Sequence, residues 1–249
     1  MRDDMGTTIN PPRAPRRVVS LVPSLTESIA ATERDVLIAA TDWCTHPEDL
    51  DVIRIRGTKN PDTKKIVSLA PDIVVANAEE NREIDVRRLR DAGIPVWVTA
   101  PATVPEALAS LRRTLTVLDL PHPRWLDEAE RVWSHPVPLA HTRAIVPIWR
   151  DPWMALGRDT FAGDLLARLG VRNALADSPS RYPHVDLASL PAYDLVVLPD
   201  EPYVFTPDDG PEAFPGRRCA CVSGRHLTWY GPSLVEAKEV LLRQLSSGG

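Results

Sequence analysis

The chain has 249 residues, 43% of them hydrophobic and 25% charged, with a formal net charge of -5. That is a globular profile with room for one large or two small domains. It excludes several classes: no run approaches the ~18 apolar residues of a membrane span, the Lys and Arg residues are scattered rather than clustered as in a nucleic-acid binder, and three Cys make no disulfide framework. Two oddities remain. There are 25 Pro against 12 Gly, and Trp supplies half of the aromatic residues, 7 against 4 Tyr and 3 Phe. Proline is roughly double its usual ~5%, which implies many short elements with stiff connections.

Residues 1–15 carry mixed charges and prolines without an apolar stretch, and read as a disordered segment without a secretory signal. As written, the chain is therefore expected in the cytoplasm, or outside it if an export segment precedes this start. Residues 16–22 (RRVVSLV) form a first strand, followed by a helix with Ser24 as N-cap and Glu27 closing a capping box. Strands are expected at 36–41 (VLIAAT), 72–76 (DIVVA) and 95–99 (PVWVT). Helices are expected at 64–69 and 82–92, the latter stopped by Gly93. Val104, Leu108, Leu111, Leu115 and Leu118 then recur at helical spacing. Pro121 and Pro123 interrupt, and Trp125, Leu126, Ala129, Val132 and Trp133 resume the stripe. With no strand before about residue 143, this is a helical connector.

Strands return at 143–149 (RAIVPIW), 194–198 (DLVVL) and 217–222 (RRCACV), with helices at 159–169 and 233–245. In the third of these strands Cys219 and Cys221 share one face and read as buried apolar residues. A short phrase also repeats: VSLAPDIVVAN at 67–77 parallels ASLPAYDLVVLPD at 188–200. The order predicts an α/β protein of two Rossmann-like lobes joined by a helical connector. The divisions fall at 16–102, 103–141 and 142–249.

Ligands of open α/β sheets bind outside the carboxyl ends of the strands. The loops expected there hold Ser24; Trp43, Cys44 and His46; Lys59; Asn77; Trp149, Arg150 and Trp153; Tyr182; Tyr203; and Trp229 and Tyr230. Four of the seven Trp lie in these loops. That suits a concave surface for a large, partly apolar ligand, and a lone Trp there could equally cap the core. Trp97, Trp125 and Trp133 read as packing. Catalytic patterns are absent: no G-x-S-x-G, P-loop or G-x-G-x-x-G, and no His pair at zinc spacing. Cys44 and His46 are the two metal-ligand candidates, too few for a site. No cofactor and no enzyme activity is expected.

RVVSLVPSLTE, GTKNPDTKKIVSLAPDIVVAN and DAGIPVWVT resemble the substrate-binding components of ABC importers for cobalamin and ferric siderophores, the helical-backbone metal receptors. So do IWRDPWMALGRDTFAGDLLARLGVRNAL, RYPHVDLASLPAYDLVVLPDEP and LTWYGP in the second half. The resemblance spans about 16–245. It implies a class III periplasmic-binding-protein-like fold that holds a cobalamin-like ligand, a haem or a ferric siderophore in a cleft between lobes. It implies Trp149, Trp153, Tyr182 and Trp229 as aromatic contacts, and Ser24, Lys59, Asn77 and Arg150 as polar ones. The family also presents a permease-docking Glu on each lobe. Here Lys64 and Ala188 stand at those places, so that docking is expected to be lost. Two further readings follow from these departures. One is an importer receptor whose export route lies outside this sequence. The other is a scaffold repurposed as an intracellular carrier, or as an enzyme on a bulky small molecule.

Overall fold

The computed structural model describes residues 1–11, 14–135 and 142–247. Its elements run β1 (Val18–Ser20), α1 (Pro23–Glu33), β2 (Leu37–Ala40), β3 (Ile53–Arg54), α2 (Thr63–Ser68), β4 (Ile73–Asn77), α3 (Glu83–Asp91), β5 (Val96–Thr99), α4 (Val104–Val117) and α5 (Arg124–Trp133). They continue with β6 (Thr142–Ile145), β7 (Pro147–Trp149), β8 (Met154–Ala155), α6 (Phe161–Arg168), β9 (Val171–Asn173), β10 (Leu195–Pro199), β11 (Arg218–Val222), α7 (Gly224–Thr228) and α8 (Leu234–Ser247). The fold is α/β, in two units. The first comprises Met1–Pro101, Pro105–Glu128 and Tyr230–Pro232; the second comprises Ala102–Val104, Ala129–Trp229 and Ser233–Gly249. The described part of the expected connector, 103–135, is divided between the two units. Its end at 136–141 lies outside the described residues.

The first unit is built on an all-parallel sheet in the order β3-β2-β1-β4-β5. Strands β1, β4 and β5 are buried along their whole length, and β2 at all but Ile38, as a parallel sheet covered on both faces requires. That explains their unbroken apolar runs. Trp97 in β5 is fully buried and donates its indole N–H to Thr114 Oγ1 at 2.9 Å. The edge strand β3 is exposed and was not anticipated. Two residues without alternation give no periodic signal.

Helix α1 starts one residue earlier than the expected cap. Val22 precedes it, Pro23 opens it and Ser24 lies inside its first turn, with no side-chain cap. Proline has no N–H to leave unpaired there and its φ is already helical, so it displaces Ser24 from the capping position.

The N-terminus also departs from the expected disordered segment. Asp3 is 5% exposed; its carboxylate accepts the N–H groups of Met5 and Thr7 and pairs with Arg90 at 3.1 Å. Asp4 accepts from Ala100 N at 2.9 Å, Ser110 Oγ at 2.6 Å and Arg113 Nη2 at 2.7 Å. Two adjacent, fully bonded carboxylates fasten the segment beside β5. Polar composition alone looks like a solvated tail, because the partners of both carboxylates include residues some hundred positions away. Residues 12–13 of the segment lie outside the described residues.

The second unit holds a parallel sheet in the order β11-β10-β6-β9. The single strand expected over 143–149 is broken. β6 ends at Ile145, and β7 turns away to pair antiparallel with β8. Pro147 cannot donate to a central ladder, so the chain leaves the sheet there and carries residues 149–153 into a hairpin tip. Helix α6 is capped by Thr160, whose Oγ1 accepts Gly163 N–H, and it stops before Gly170 at φ 83°. Cys219 and Cys221 are half-buried rather than buried, and pack against a cluster of Val196, Leu198, Phe205 and Phe214. No described helix is long and apolar enough to cross a membrane.

Candidate functional site

Strand order reverses twice, and each reversal gathers part of the expected loop set. In the first unit it lies between β1 and β4, because β1 is flanked by β2 on one side and β4 on the other. Such a switch point is where the loops after neighbouring strands splay apart and leave a crevice. Ser24 and Asn77 sit at these strand ends. Asn77 is 5% exposed and spends its whole amide on the protein. Its Nδ2 donates to Tyr230 Oη at 2.8 Å, and its Oδ1 accepts from the N–H groups of Glu79 and Glu80. Tyr230 Oη also lies 2.7 Å from Thr99 Oγ1, and burial pushes its phenol well above its ordinary pKa. Asn77 and Tyr230 therefore brace the loop after β4. Asn81 extends the brace, accepting Asn77 N–H and donating to Leu21 O and Thr58 O.

Ser24 is 2% exposed, and its Oγ makes no hydrogen bond among the described residues. Gly231 lies against it: a Cβ there would fall 3.1 Å from Ser24 O and 2.6 Å from Ser28 Oγ. Lys59 is exposed and donates to Glu79 O. Trp43 is 66% exposed and crosses over Gly57, where a Cβ would lie 3.1 Å from its Nε1. The Cys44 thiol is buried between Thr26 Oγ1 at 3.0 Å and Thr41 Oγ1 at 3.1 Å, and burial pushes its pKa up. His46 bonds Thr45 Oγ1 at 3.2 Å. Among the described residues no three His, Cys, Asp or Glu side chains come together as a metal site. Lys64 is exposed on α2, where Arg56, Asp62 and Lys65 line the same open concavity.

In the second unit the reversal lies between β6 and β10. The loops beyond them are the 149–153 hairpin tip and residues 200–209, and together they build an aromatic cluster. Trp149 is 43% exposed and meets Tyr203 edge-on, with ring centroids 5.8 Å apart. Tyr203 leans on Phe205 at 4.6 Å, and Trp153 stacks on Phe205 at 6.0 Å and 4°. The Arg150 guanidinium lies 5.3 Å over the Trp153 ring and pairs with both Asp209 and Glu212. The Gly210 N–H and Arg150 hold the Glu212 carboxyl below its ordinary range. Asp209 accepts the Tyr203 hydroxyl at 2.7 Å and, with burial, pushes that phenol up.

Trp229 and Tyr182 stand apart from this cluster. Trp229 is 7% exposed and donates Nε1–H to Glu201 Oε2 at 2.9 Å. Its packing role replaces the expected open aromatic face. Tyr182 is half-buried on another loop, its N–H on Ser180 Oγ. Ala188 is exposed on a 3₁₀ turn over Leu187–Ser189, capped by Asp186. Asp209, Glu212, Glu201, Asn81 and Thr99 were missed at the sequence level. Only the Asp-Asp-Gly turn signal at 208–210 could have marked any of them.

Glu201 gives a pH test. Burial raises its carboxyl pKa, against the indole N–H that lowers it. A raised folded pKa adds stability that is full below the unfolded pKa and is lost as pH rises through the folded one. Glu201→Gln keeps an acceptor for Trp229 and removes the buried charge. It should raise the melting temperature at neutral pH, with the gain closing as pH falls through the carboxylate range. A gain that is independent of pH would refute this origin.

His226 Nδ1 lies 2.8 Å from Ser223 Oγ and Nε2 lies 3.0 Å from Glu236 Oε1. Arg225 Nη1 shares that carboxylate oxygen at 3.3 Å. The arrangement is an ion-pair network closing the start of α7.

No protein-family model matches the chain. Among curated proteins it is similar to a vitamin B12-binding protein of Pectobacterium carotovorum, 26% identical over 183 residues, covering 69% of this chain and 66% of that protein. A vitamin B12-binding protein of Yersinia pestis is 24% identical over 185 residues, covering 70% and 65%. The matches thus span just under two thirds of these relatives' length. Among solved structures, the periplasmic vitamin B12 binding protein BtuF of Vibrio cholerae aligns with TM-score 0.71 and 17% identity, over 94% of this chain and 97% of that one. The periplasmic heme-binding protein RhuT of Roseiflexus sp. RS-1 gives 0.72 and 19%, over 94% and 98%. CeuE of Helicobacter pylori with nickel bound gives 0.80 and 12%, over 98% and 88%. The chain has the class III periplasmic-binding-protein fold of these structures, and in sequence it is similar to the vitamin B12-binding proteins. Two of these three structures are of periplasmic proteins, so the cytoplasmic placement read from the N-terminus draws no support.

Proposed function

We propose that the chain is a ligand-binding protein for a cobalamin-like or ferric-chelate molecule, siderophore or haem, held by the strand-end loops. The observation that carries this reading is the aromatic cluster at the strand-order reversal of the second unit, where Trp149 and Tyr203 sit on a base of Trp153 and Phe205. Flat conjugated rings stack on such faces. The relatives named for vitamin B12 and heme binding support the same ligand class. Asn77, Tyr230 and Arg150 enter as loop braces, because their polar atoms are already used within the protein. A carrier or an enzyme on another bulky molecule draws no comparable support.

The proposal covers the ligand alone. Lys64 and Ala188 put no carboxylate at the two places where the resemblance sets permease-docking glutamates, so a transporter would have to recognise other residues.

Titration with cyanocobalamin, haemin or a ferric siderophore is expected to quench Trp emission saturably at about one ligand per chain. Trp149→Ala should weaken that binding about tenfold, as loss of an aromatic anchor does. Absence of both saturable quenching and a melting shift across the panel would overturn the proposal.

A further inference from the structure

We infer that the aromatic face of the second unit selects ring chelates that are uncharged or cationic, and discriminates against anionic ones. This rests on the ligand-binding reading above and narrows it. The two loops at that face, 149–153 and 200–212, contain one cation, Arg150, against six carboxylates: Asp151, Asp200, Glu201, Asp208, Asp209 and Glu212. A basic residue beside stacked aromatics would ordinarily attract an anionic chelate. Here that charge is already engaged.

Arg150 pairs with Asp209 and, at 2.5 Å, with Glu212. Both carboxylates are fixed from their other oxygens as well: Tyr203 Oη donates to Asp209 Oδ2 at 2.7 Å, and Gly210 N–H donates to Glu212 Oε2 at 2.5 Å. The guanidinium also lies over the Trp153 ring. Turning it toward an incoming carboxylate would strand two fixed negative charges and abandon the ring. What a ligand meets is Trp149, 43% exposed, and Val204, 64% exposed, beside a cation outnumbered by its own partners. An anionic substituent there meets a guanidinium already paired with two carboxylates, and adds like-charge repulsion. An amide-decorated or cationic ring keeps the stacking without that penalty.

The test uses two porphyrins of one ring size and opposite charge, tetra(N-methylpyridyl)porphyrin and tetra(p-sulfonatophenyl)porphyrin, with cyanocobalamin as the uncharged corrin. Porphyrin and corrin absorbance are followed, on the full chain. The cationic and uncharged probes should bind at least about tenfold more tightly than the sulfonated one. Asp209→Asn with Glu212→Gln frees the Arg150 charge and should narrow that gap about tenfold. Glu212→Gln alone should narrow it by less, and covers the case in which the double variant does not fold. Trp149→Ala should weaken the cationic and uncharged probes, which diffuse attraction to a net-negative chain would not show. Equal or tighter binding of the sulfonated porphyrin overturns the inference and leaves ligand binding intact. So does a gap unchanged in both acidic-residue variants. No saturable response to any probe overturns the ligand-binding reading and the inference with it.

Discussion

Replacing Asn77 by alanine is expected to destabilise the first unit by about 3–5 kcal/mol, given ~1 kcal/mol for each hydrogen bond lost and more for each buried group left unpaired. The size follows from where the amide sits. Asn77 is the last residue of β4, at the strand-order reversal, and its side chain joins three pieces of chain. It receives the N–H groups of Glu79 at 2.8 Å and Glu80 at 3.1 Å, which open the loop, and it donates to Tyr230 Oη at 2.8 Å. Alanine leaves both N–H groups without that acceptor in a half-buried loop, and takes the amide donor away from Tyr230 Oη. Tyr230→Phe removes only the hydroxyl, while Thr99 Oγ1 keeps Ala76 O at 3.1 Å. Its cost should be about 1–2 kcal/mol. Urea unfolding followed on both variants measures the pair. A loss under about 1 kcal/mol for Asn77→Ala would mean the brace is redundant.

Gly157→Ala should be comparably damaging, by about 3 kcal/mol or more, through a different mechanism. A Cβ at Gly157 would lie 2.0 Å from Ser180 O and 2.9 Å from Pro183 Cδ. The first of these is backbone and cannot rotate aside. Separation requires moving the loop that carries Arg181, Tyr182 and Pro183, and that breaks the Gly157 N–H to Arg181 O bond of 2.8 Å. It also pulls on Asn173, whose Nδ2 holds Leu156 O at 3.0 Å and Gly157 O at 2.8 Å. For a chain of this size each kcal/mol shifts the melting temperature by about 2–4 °C. A drop of roughly 6 °C or more is expected, and an unchanged melting temperature would show that this loop yields freely.

The inner strands were legible because their signal is strong. Runs such as IVVA in β4 and LVVL in β10 are continuous, apolar and β-branched, and Pro or Asp marks their entry. Helices α3 and α6 were legible through Gly93 and Gly170, both at positive φ just beyond the helix end. The elements that escaped, β3, β8, β9 and α7, are two to five residues long. Too few side chains are present in them to establish a period. At the candidate site, strand-end reasoning found the loops and could not assign roles within them. Trp149 and Trp229 look alike as letters, and whether each is open or buried depends on residues far along the chain. Arg150 shows the same limit. Its partners lie some sixty residues away, and nothing local reports that its charge is engaged.

The tryptophans leave the protein with a built-in optical reference. Trp97 is fully excluded from water, and Trp133 and Trp229 nearly so, while Trp43 and Trp149 are open. Emission should therefore divide into a blue component that ignores aqueous quenchers and a red component that acrylamide removes. A molecule settling on Trp149 erases red light from the second unit while Trp43 still reports from the first. A red shift of the blue component instead marks unfolding, so occupancy and denaturation can be read apart in one cuvette without attaching a dye.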